Sequence, residues 1–152
     1  MNKLSIILSA IIVAGMFFGA EGVYSQESGS KMKQDVFSQV TENAMVVGGA
    51  KQITYEQFMK IRNSGEPYIL VDVRAPDKYR EGHIDGAISF FLDSINANSA
   101  SQALPKGSKV IIYSRSFSSP MSTKAAKKLA GLGYDVLDYK GGYQEWRGKG
   151  NR

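Results

Sequence analysis

The sequence predicts an α/β domain with a small, mainly parallel β-sheet and helices on both faces. Tyr68–Val73 is a nearly continuous apolar run, as is typical of a strand covered on both faces. Lys109–Tyr113 is predicted to be a second buried strand and Asp135–Tyr139 a further strand. Segments with helical spacing of apolar residues separate these runs, and such alternation favours parallel pairing of the strands. The 152 residues are 43% hydrophobic and 22% charged, which suits one globular core.

Residues 1–25 have the pattern of a targeting segment. Lys3 gives a positive start, an apolar run extends from Leu4 to Ala20, and small-residue cleavage sites lie near Ala20 and Ser25. Export to the periplasm or the exterior with cleavage is the leading interpretation, and it implies no stable membrane partner. An uncleaved membrane anchor is the alternative.

Residues 26–50 are predicted to be a linker and an N-terminal arm. Gln26–Lys33 is polar and rich in small residues, as in flexible linkers. Asp35–Met45 has a loose helical pattern, and Gly48-Gly49 then breaks the chain. The folded domain is therefore predicted at residues 51–150.

The first half of the domain begins with a helix. Thr54 and Gln57 resemble a capping box, and the apolar face of the helix ends near Ser64-Gly65. The elements predicted after the first strand are a short helical piece, a brief strand and a weak helix, at Ala75–Arg80, Ile88–Phe90 and Leu92–Ser101 respectively.

The second half places a helix after each remaining strand. Ser122 is predicted to cap the first of these helices, and Gly131 and Gly133 end it. Gly141-Gly142 turns the chain after the third strand. A last short helix begins at Tyr143, with Trp146 predicted to lie in the core.

The loop between the second strand and the next helix is the most specific candidate site. It runs Ser114, Arg115, Ser116, Phe117, Ser118, Ser119, Pro120 and Met121, with Ser122 opening the helix. Ligands of open α/β sheets bind beyond the carboxyl ends of the strands. A helix N-terminus behind a loop of small residues offers N–H groups and a positive dipole to an anion. The loop contains no obvious nucleophile at neutral pH.

Four motifs in order resemble the hallmarks of rhodanese-like domains. They are the strand end in LVDVR, the turn in EGHIDGA, the loop and helix in YSRSFSSPMSTKAA, and the closing GGYQEW. The resemblance extends from Gln52 to about Gly148. It implies the rhodanese-like fold, with a small parallel sheet wrapped by helices.

The resemblance also implies a chemistry for the loop. Rhodaneses carry a cysteine as the first loop residue, and its thiolate takes a sulfane sulfur from a donor such as thiosulfate. The persulfide passes the sulfur to a thiol or to cyanide, and no cofactor takes part. The nucleophile position corresponds to Ser114 here. The implied partners are therefore a small anionic sulfur compound and a protein sulfur acceptor, while the serine predicts an inactive chain that retains anion binding.

Serine replaces cysteine at two positions of interest. Some exported relatives have a second cysteine five residues after the first, where this chain has Ser119. The paired replacement fits either a natural loss of function or deliberate removal of thiols. A non-catalytic module that binds a partner through the loop and the Lys124 face is the alternative function. A phosphatase-like activity would also need the missing cysteine.

Asp72, Arg74 and His83 are the supporting residues. Asp72 is predicted to tie down loop amides, and Arg74 to pair with an acid such as Glu81. A triad of Ser114, His83 and Asp72 is a minor alternative. Arg115 is predicted either to bind the anionic donor or to face solvent. Phe117 and Met121 are predicted to form an apolar rim or to pack the loop.

The amino-acid composition argues against several other classes of site and partner. The chain has no cysteine and one histidine, which argues against thiolate chemistry, disulfides and a metal site. The net charge of +5 is spread among acids, apart from a small cluster at Lys124, Lys127 and Lys128. We interpret that cluster as a solvated helix face, and nucleic acid is not an expected partner.

Overall fold

A computed structural model describes residues 36–151 of the chain. Within that range, six strands form one sheet in the order β1-β2-β6-β5-β3-β4, and every pair except β1–β2 is parallel. The predicted α/β class, with a mainly parallel sheet and helices on both faces, is confirmed. The predicted targeting segment and the linker Gln26–Lys33 lie outside the described residues.

The strands and helices follow one another at short intervals. The strands are β1 Met45–Val47, β2 Ala50–Ile53, β3 Ile69–Asp72, β4 Ala87–Ser89, β5 Lys109–Tyr113 and β6 Asp135–Tyr139. The helices are α1 (residues 36–42), α2 Tyr55–Ser64, α3 Pro76–Glu81, α4 Ala97–Ala103, α5 Met121–Gly131 and α6 Gly142–Gly148, with a 3₁₀ turn at Leu92–Ser94. None of these described helices is long and apolar enough to cross a membrane.

Strand β5 lies at the centre of the sheet, between β6 and β3. Its side chains alternate between two hydrophobic clusters: Val110 and Ile112 face the cluster that includes α4 and α5, whereas Ile111 and Tyr113 face the cluster that includes α2 and Trp146 of α6. Burial on both faces explains why this strand is a continuous apolar run in the sequence.

The N-terminal arm packs into the second of these clusters. Phe37 and Val40 of α1 are buried there, and the Glu66 carboxylate accepts the backbone N–H groups of Val36 and Phe37 at 2.8 and 3.2 Å. Strands β1 and β2 form an edge hairpin that the sequence analysis did not predict. The start of the domain at residue 51 remains a prediction, although the packed body already contains residue 36.

Several local predictions differ from the structure. Pro120, not Ser122, occupies the N-cap position of α5, and Ser122 is buried inside the first turn. The weak helix predicted at Leu92–Ser101 is instead a 3₁₀ turn followed by α4. Asn96 caps α4 by accepting the N–H groups of Asn98 and Ser99. The capping box of Thr54 and Gln57 is confirmed.

Candidate functional site

Residues 114–120 form the candidate site loop at the carboxyl edge of the sheet. The loop begins where β5 ends at Tyr113 and closes where α5 begins at Met121. Ser114 is fully buried, and its hydroxyl donates to the hydroxyl of Ser122, also fully buried, at 3.3 Å. The position that the resemblance assigns to a nucleophile therefore lies at the base of the loop, beneath the first turn of α5.

Helix α6 holds the beginning of the loop through its backbone. The N–H of Tyr143 donates to the carbonyl of Ser114 and the N–H of Gln144 to that of Arg115, both at 2.9 Å. Gly142, with φ of 68°, lies against this contact, and a Cβ there would be 2.5 Å from the Ser114 carbonyl oxygen. Only glycine fits this position, because both the positive φ and the close approach exclude a side chain.

The loop leaves a run of backbone donors unused. Within residues 36–151, the N–H groups of Arg115, Ser116, Phe117 and Ser118 donate to no protein acceptor, whereas that of Ser119 donates to the Ser116 carbonyl at 3.0 Å. These donors precede the N-terminus of α5, where the helix dipole is positive. Successive free N–H groups at such a position can solvate an anion.

A chain of side chains holds the end of the loop. The Lys140 ammonium donates to the Ser119 carbonyl at 2.6 Å and to the Thr123 hydroxyl at 3.3 Å. The Thr123 hydroxyl in turn donates to Oδ2 of Asp138 at 2.7 Å, and the Gln52 amide donates to the Thr123 hydroxyl at 3.3 Å. This chain links the loop, the first turn of α5 and strand β6.

Asp138 at the end of that chain is an incompletely paired acid. It is fully buried, and its Oδ1 has no hydrogen-bond partner. Burial raises the pKa of the Asp138 carboxyl, and the Thr123 hydroxyl, the nearby Ser122 hydroxyl and the Lys140 charge oppose that rise. Protonation of Asp138 therefore costs less here than in water.

Asp72 and Arg74 form a second buried group on the other side of β5. Oδ1 and Oδ2 of Asp72 accept the guanidinium Nε and Nη2 at distances between 2.6 and 3.0 Å, and Oδ1 also accepts the Arg74 backbone N–H. The Tyr113 hydroxyl donates to Oδ2 at 2.8 Å. Burial, followed by the Asp72 charge, raises the pKa of Tyr113, so this phenol remains a donor.

The predicted pairing of Arg74 with Glu81 is wrong. Arg74 is buried and bonds instead to Asp72 and to the Gly82 carbonyl, at 2.6 Å in each case. Glu81 is exposed and pairs with Lys78 on the same helix at 2.7 Å. A buried guanidinium needs a buried counter-charge, and Asp72 provides one.

His83 lies apart from the two other members of the hypothetical triad. Its ring stacks on Tyr79 with centroids 3.9 Å apart, and its Nδ1 lies 3.1 Å from the Tyr79 carbonyl. Asp72 bonds to Arg74 and Tyr113, and the Ser114 hydroxyl bonds to Ser122. Because Ser114, His83 and Asp72 make no hydrogen bonds to one another, the structure gives no support to a triad.

The other predicted loop residues range from exposed to half-buried. Arg115, Phe117, Ser118 and Pro120 are exposed, Ser116 and Ser119 are half-buried, and Met121 packs against the core. Phe117 leaves 72% of its surface exposed. The Ser116 and Ser118 hydroxyls lie 3.2 Å apart, and the Ser119 hydroxyl accepts the Met121 N–H at 3.4 Å. The Arg115 side chain has no partner among the described residues.

A cavity of about 880 Å³ adjoins the outer side of the loop. Its apolar wall comes from the edge hairpin, α2 and the loop tip: Met45, Val47, Ile53, Tyr55 and Phe117. Lys140 and Glu145 contribute charged groups. Met45 and Val46 of the hairpin remain 71% and 67% exposed, so an apolar surface continues beyond the cavity.

Sequence reasoning missed Thr123, Asp138 and Lys140. The sequence does single out Asp138, because it is an acid between the apolar pair Val136-Leu137 and Tyr139 in a predicted strand. Lys140 stands directly before Gly141-Gly142, but only the parallel arrangement of β5 and β6 brings it to the loop. These contacts depend on register between segments distant in sequence, which no local pattern reveals.

Comparisons with known proteins agree on one family. The profile of the rhodanese-like domain matches residues 54–149. The thiosulfate sulfurtransferase GlpE of Pseudomonas entomophila is 32% identical over 98 residues, which cover 64% of this chain and 84% of that protein.

Two solved structures are also similar to this chain. A crystal structure of a protein from Bacillus halodurans is 33% identical with a TM-score of 0.59, over 66% of this chain and 73% of that chain. The solution structure of a rhodanese-like domain from Anabaena sp. is 26% identical with a TM-score of 0.58, over 66% of this chain and 75% of that chain.

Proposed function

The chain belongs to the rhodanese-like domain family, and we propose that it is a member whose loop binds a thiosulfate-type anion without transferring sulfur. The observation that carries this proposal is the identity and placement of Ser114. It is the first residue after β5, it lies buried beneath α5, and the 152-residue sequence has no cysteine to replace it.

The chemistry of the two side chains explains the predicted inactivity. In sulfur transfer a thiolate attacks the sulfane sulfur of thiosulfate, a new S–S bond forms, and sulfite leaves with the electron pair of the old one. A serine hydroxyl is far less acidic than a thiol, and oxygen cannot hold the sulfur as a persulfide. Hydrogen bonding to Ser122 does not change that limit.

Anion binding has separate support from the loop. The unused N–H groups from Arg115 to Ser118 precede the positive end of α5. The exposed Arg115 and the Lys140 ammonium add positive charge at the two ends of the loop. Donors and cations arranged in this way favour a small dianion over a neutral ligand.

The first experiment compares the chain as given with Ser114→Cys. We expect sulfur transfer from thiosulfate to cyanide only with the cysteine variant, while both proteins bind thiosulfate by calorimetry. Ser119→Cys is the matched control, because it introduces a thiol in the same loop at a half-buried position away from the base. Turnover by the unsubstituted chain would overturn the proposal, and so would turnover by Ser119→Cys equal to that of Ser114→Cys.

A non-catalytic protein-binding module is the second candidate. The exposed apolar side chains Met45, Val46 and Phe117 beside the cavity favour it, because contiguous apolar surface marks interaction sites. If neither the given chain nor Ser114→Cys binds thiosulfate or turns it over, the module takes precedence. Loss of a partner's binding on Phe117→Ser would then support it.

Export is part of the same proposal and rests on residues 1–25 alone. Cleavage near Ala20 or Ser25 would release the domain into the periplasm or the medium. Intact-mass measurement of the protein recovered from the exported fraction tests this directly. Recovery of the full-length mass in the cytoplasmic fraction alone would contradict it.

A further inference from the structure

We propose that Lys140 is a positioning residue for the anion site and acts through a strut of three side chains, Lys140, Thr123 and Asp138. The strut joins the end of the loop at Ser119 to the first turn of α5 and to strand β6. The inference rests on the proposed anion binding, and it adds the side chain that fixes where the free N–H groups lie.

The two ends of the loop are held in different ways. At the beginning of the loop, backbone N–H groups of α6 donate to the carbonyls of Ser114 and Arg115. These bonds are between backbone atoms and do not depend on a side chain. The end of the loop is held by the Lys140 ammonium, whose 2.6 Å contact with the Ser119 carbonyl is a charge-assisted hydrogen bond. The free donors from Arg115 to Ser118 lie between these two anchors, so the Lys140 contact sets their position.

The two ends of the strut differ in charge and in burial. The ammonium end donates to the loop and is half-exposed, whereas the carboxyl end at Asp138 is fully buried and makes no hydrogen bond to residues 114–120. The Thr123 hydroxyl separates the two charges and bonds to both. An anion at the loop therefore lies nearer to the positive end, and Asp138 compensates the lysine charge from within the core.

The test substitutes Lys140 and measures thiosulfate binding by calorimetry at two salt concentrations. Lys140→Met keeps the apolar stem but removes the donor and the charge, and we expect the dissociation constant to rise about tenfold. Lys140→Arg retains a cationic donor and should stay within about threefold of the original value. The salt dependence of binding should decrease in Lys140→Met alone.

Lys106→Met is the matched control. Lys106 is exposed and lies in the turn before β5, at the opposite edge of the sheet from the loop. We expect it to leave the dissociation constant unchanged. Equal weakening by Lys106→Met and Lys140→Met would overturn the inference, because net charge alone would then explain the effect. An unchanged constant in Lys140→Met would also overturn it.

A second measurement separates this inference from the proposed function. Amide hydrogen exchange at Ser119, whose N–H donates to the Ser116 carbonyl within the loop, reports how firmly the end of the loop is held when measured without any anion. Faster exchange in Lys140→Met than in Lys106→Met supports the strut, and equal exchange overturns it. If the unsubstituted chain does not bind thiosulfate, the proposed function falls while this measurement still decides the role of Lys140.

Discussion

Two buried carboxyl groups lie on either side of the end of β5, and their partners differ. Asp72, in register with Tyr113, accepts hydrogen bonds from Arg74 and Tyr113 on both oxygens. Asp138, in register with Ile112, accepts one hydrogen bond from Thr123, and its second oxygen has none. They face opposite sides of the sheet, Asp72 toward Tyr113 and Asp138 toward α5.

This difference assigns the two carboxyls different roles: Asp72 is a framework group that holds the fold, and Asp138 belongs to a network that can rearrange. Removing either partner of the Asp72–Arg74 pair leaves the other charge buried without a counter-charge, which is strongly destabilising. The two side chains therefore have one stable arrangement. Burial alone would lower the pKa of Arg74, but the Asp72 carboxylate outweighs burial and raises it. Asp138 instead lies in a network of hydroxyls and one half-exposed ammonium, where small changes redistribute hydrogen bonds. We therefore expect changes on the Asp72 side to destabilise the whole domain and changes on the Asp138 side to alter mainly the position of the loop.

The largest expected effect comes from Asp72→Asn. The substitution keeps the shape of the side chain but leaves the Arg74 guanidinium buried without a counter-charge. We expect the free energy of unfolding to fall by about 3–5 kcal/mol, as measured by urea denaturation. Asp93→Asn, at an exposed carboxyl, should change it by less than about 0.5 kcal/mol. If the two substitutions had similar costs, Asp72 would not be the framework group described above.

An intermediate effect is expected for the hydroxyl pair between the two carboxyls. Ser114→Ala and Ser122→Ala each leave one buried hydroxyl without its partner, and each should cost about 0.5–1.5 kcal/mol. The double variant should cost less than the sum, because neither hydroxyl then remains to be satisfied. The measurement is a double-mutant cycle from urea unfolding curves.

Exposed hydroxyls in the same loop provide the control for that cycle. Ser116 and Ser118 have hydroxyls 3.2 Å apart but lie at the surface, where water replaces a lost partner. Their cycle should show no coupling. Strict additivity at Ser114 and Ser122 would mean that the buried pair contributes nothing to the position of the loop base.

The sequence predicted the Asp72 side of the site better than the Asp138 side. LVDVR ends an apolar strand with an acid and a base two residues apart, so a local pattern predicts that Arg74 pairs with an acid such as Glu81, whereas the structure pairs Arg74 with Asp72. Strands β3 to β6, the capping box at Thr54 and the loop at Ser114 also follow from local patterns. The hairpin at Met45–Ile53 is not predicted, because Gly48-Gly49 indicates a break in the chain and not a turn between two strands. The contacts of Asp138 and Lys140 depend on the pairing of β6 with β5, which joins distant segments.

The smallest expected effect is the pH dependence produced by Asp138→Asn. Burial raises the pKa of Asp138 in the folded protein above its value in the unfolded chain, so the folded state favours the protonated acid. Below the unfolded pKa the carboxyl is protonated in both states and costs nothing. As pH rises from about 4 through the folded pKa, the unsubstituted protein loses stability, because unfolding then relieves the buried charge.

Asparagine cannot ionise, so Asp138→Asn lacks that loss. The difference in unfolding free energy between variant and original should therefore shift in favour of the variant as pH rises, and then become constant. Urea unfolding in steps from pH 4 to pH 8 measures this, and the change with pH is independent of any fixed cost of replacing a carboxyl oxygen by an amide. A difference that does not vary with pH would mean that Thr123, Ser122 and Lys140 stabilise the buried charge as well as water does. Asp138 would then be as fully paired as Asp72, and the contrast between the two sides of β5 would lie in geometry alone.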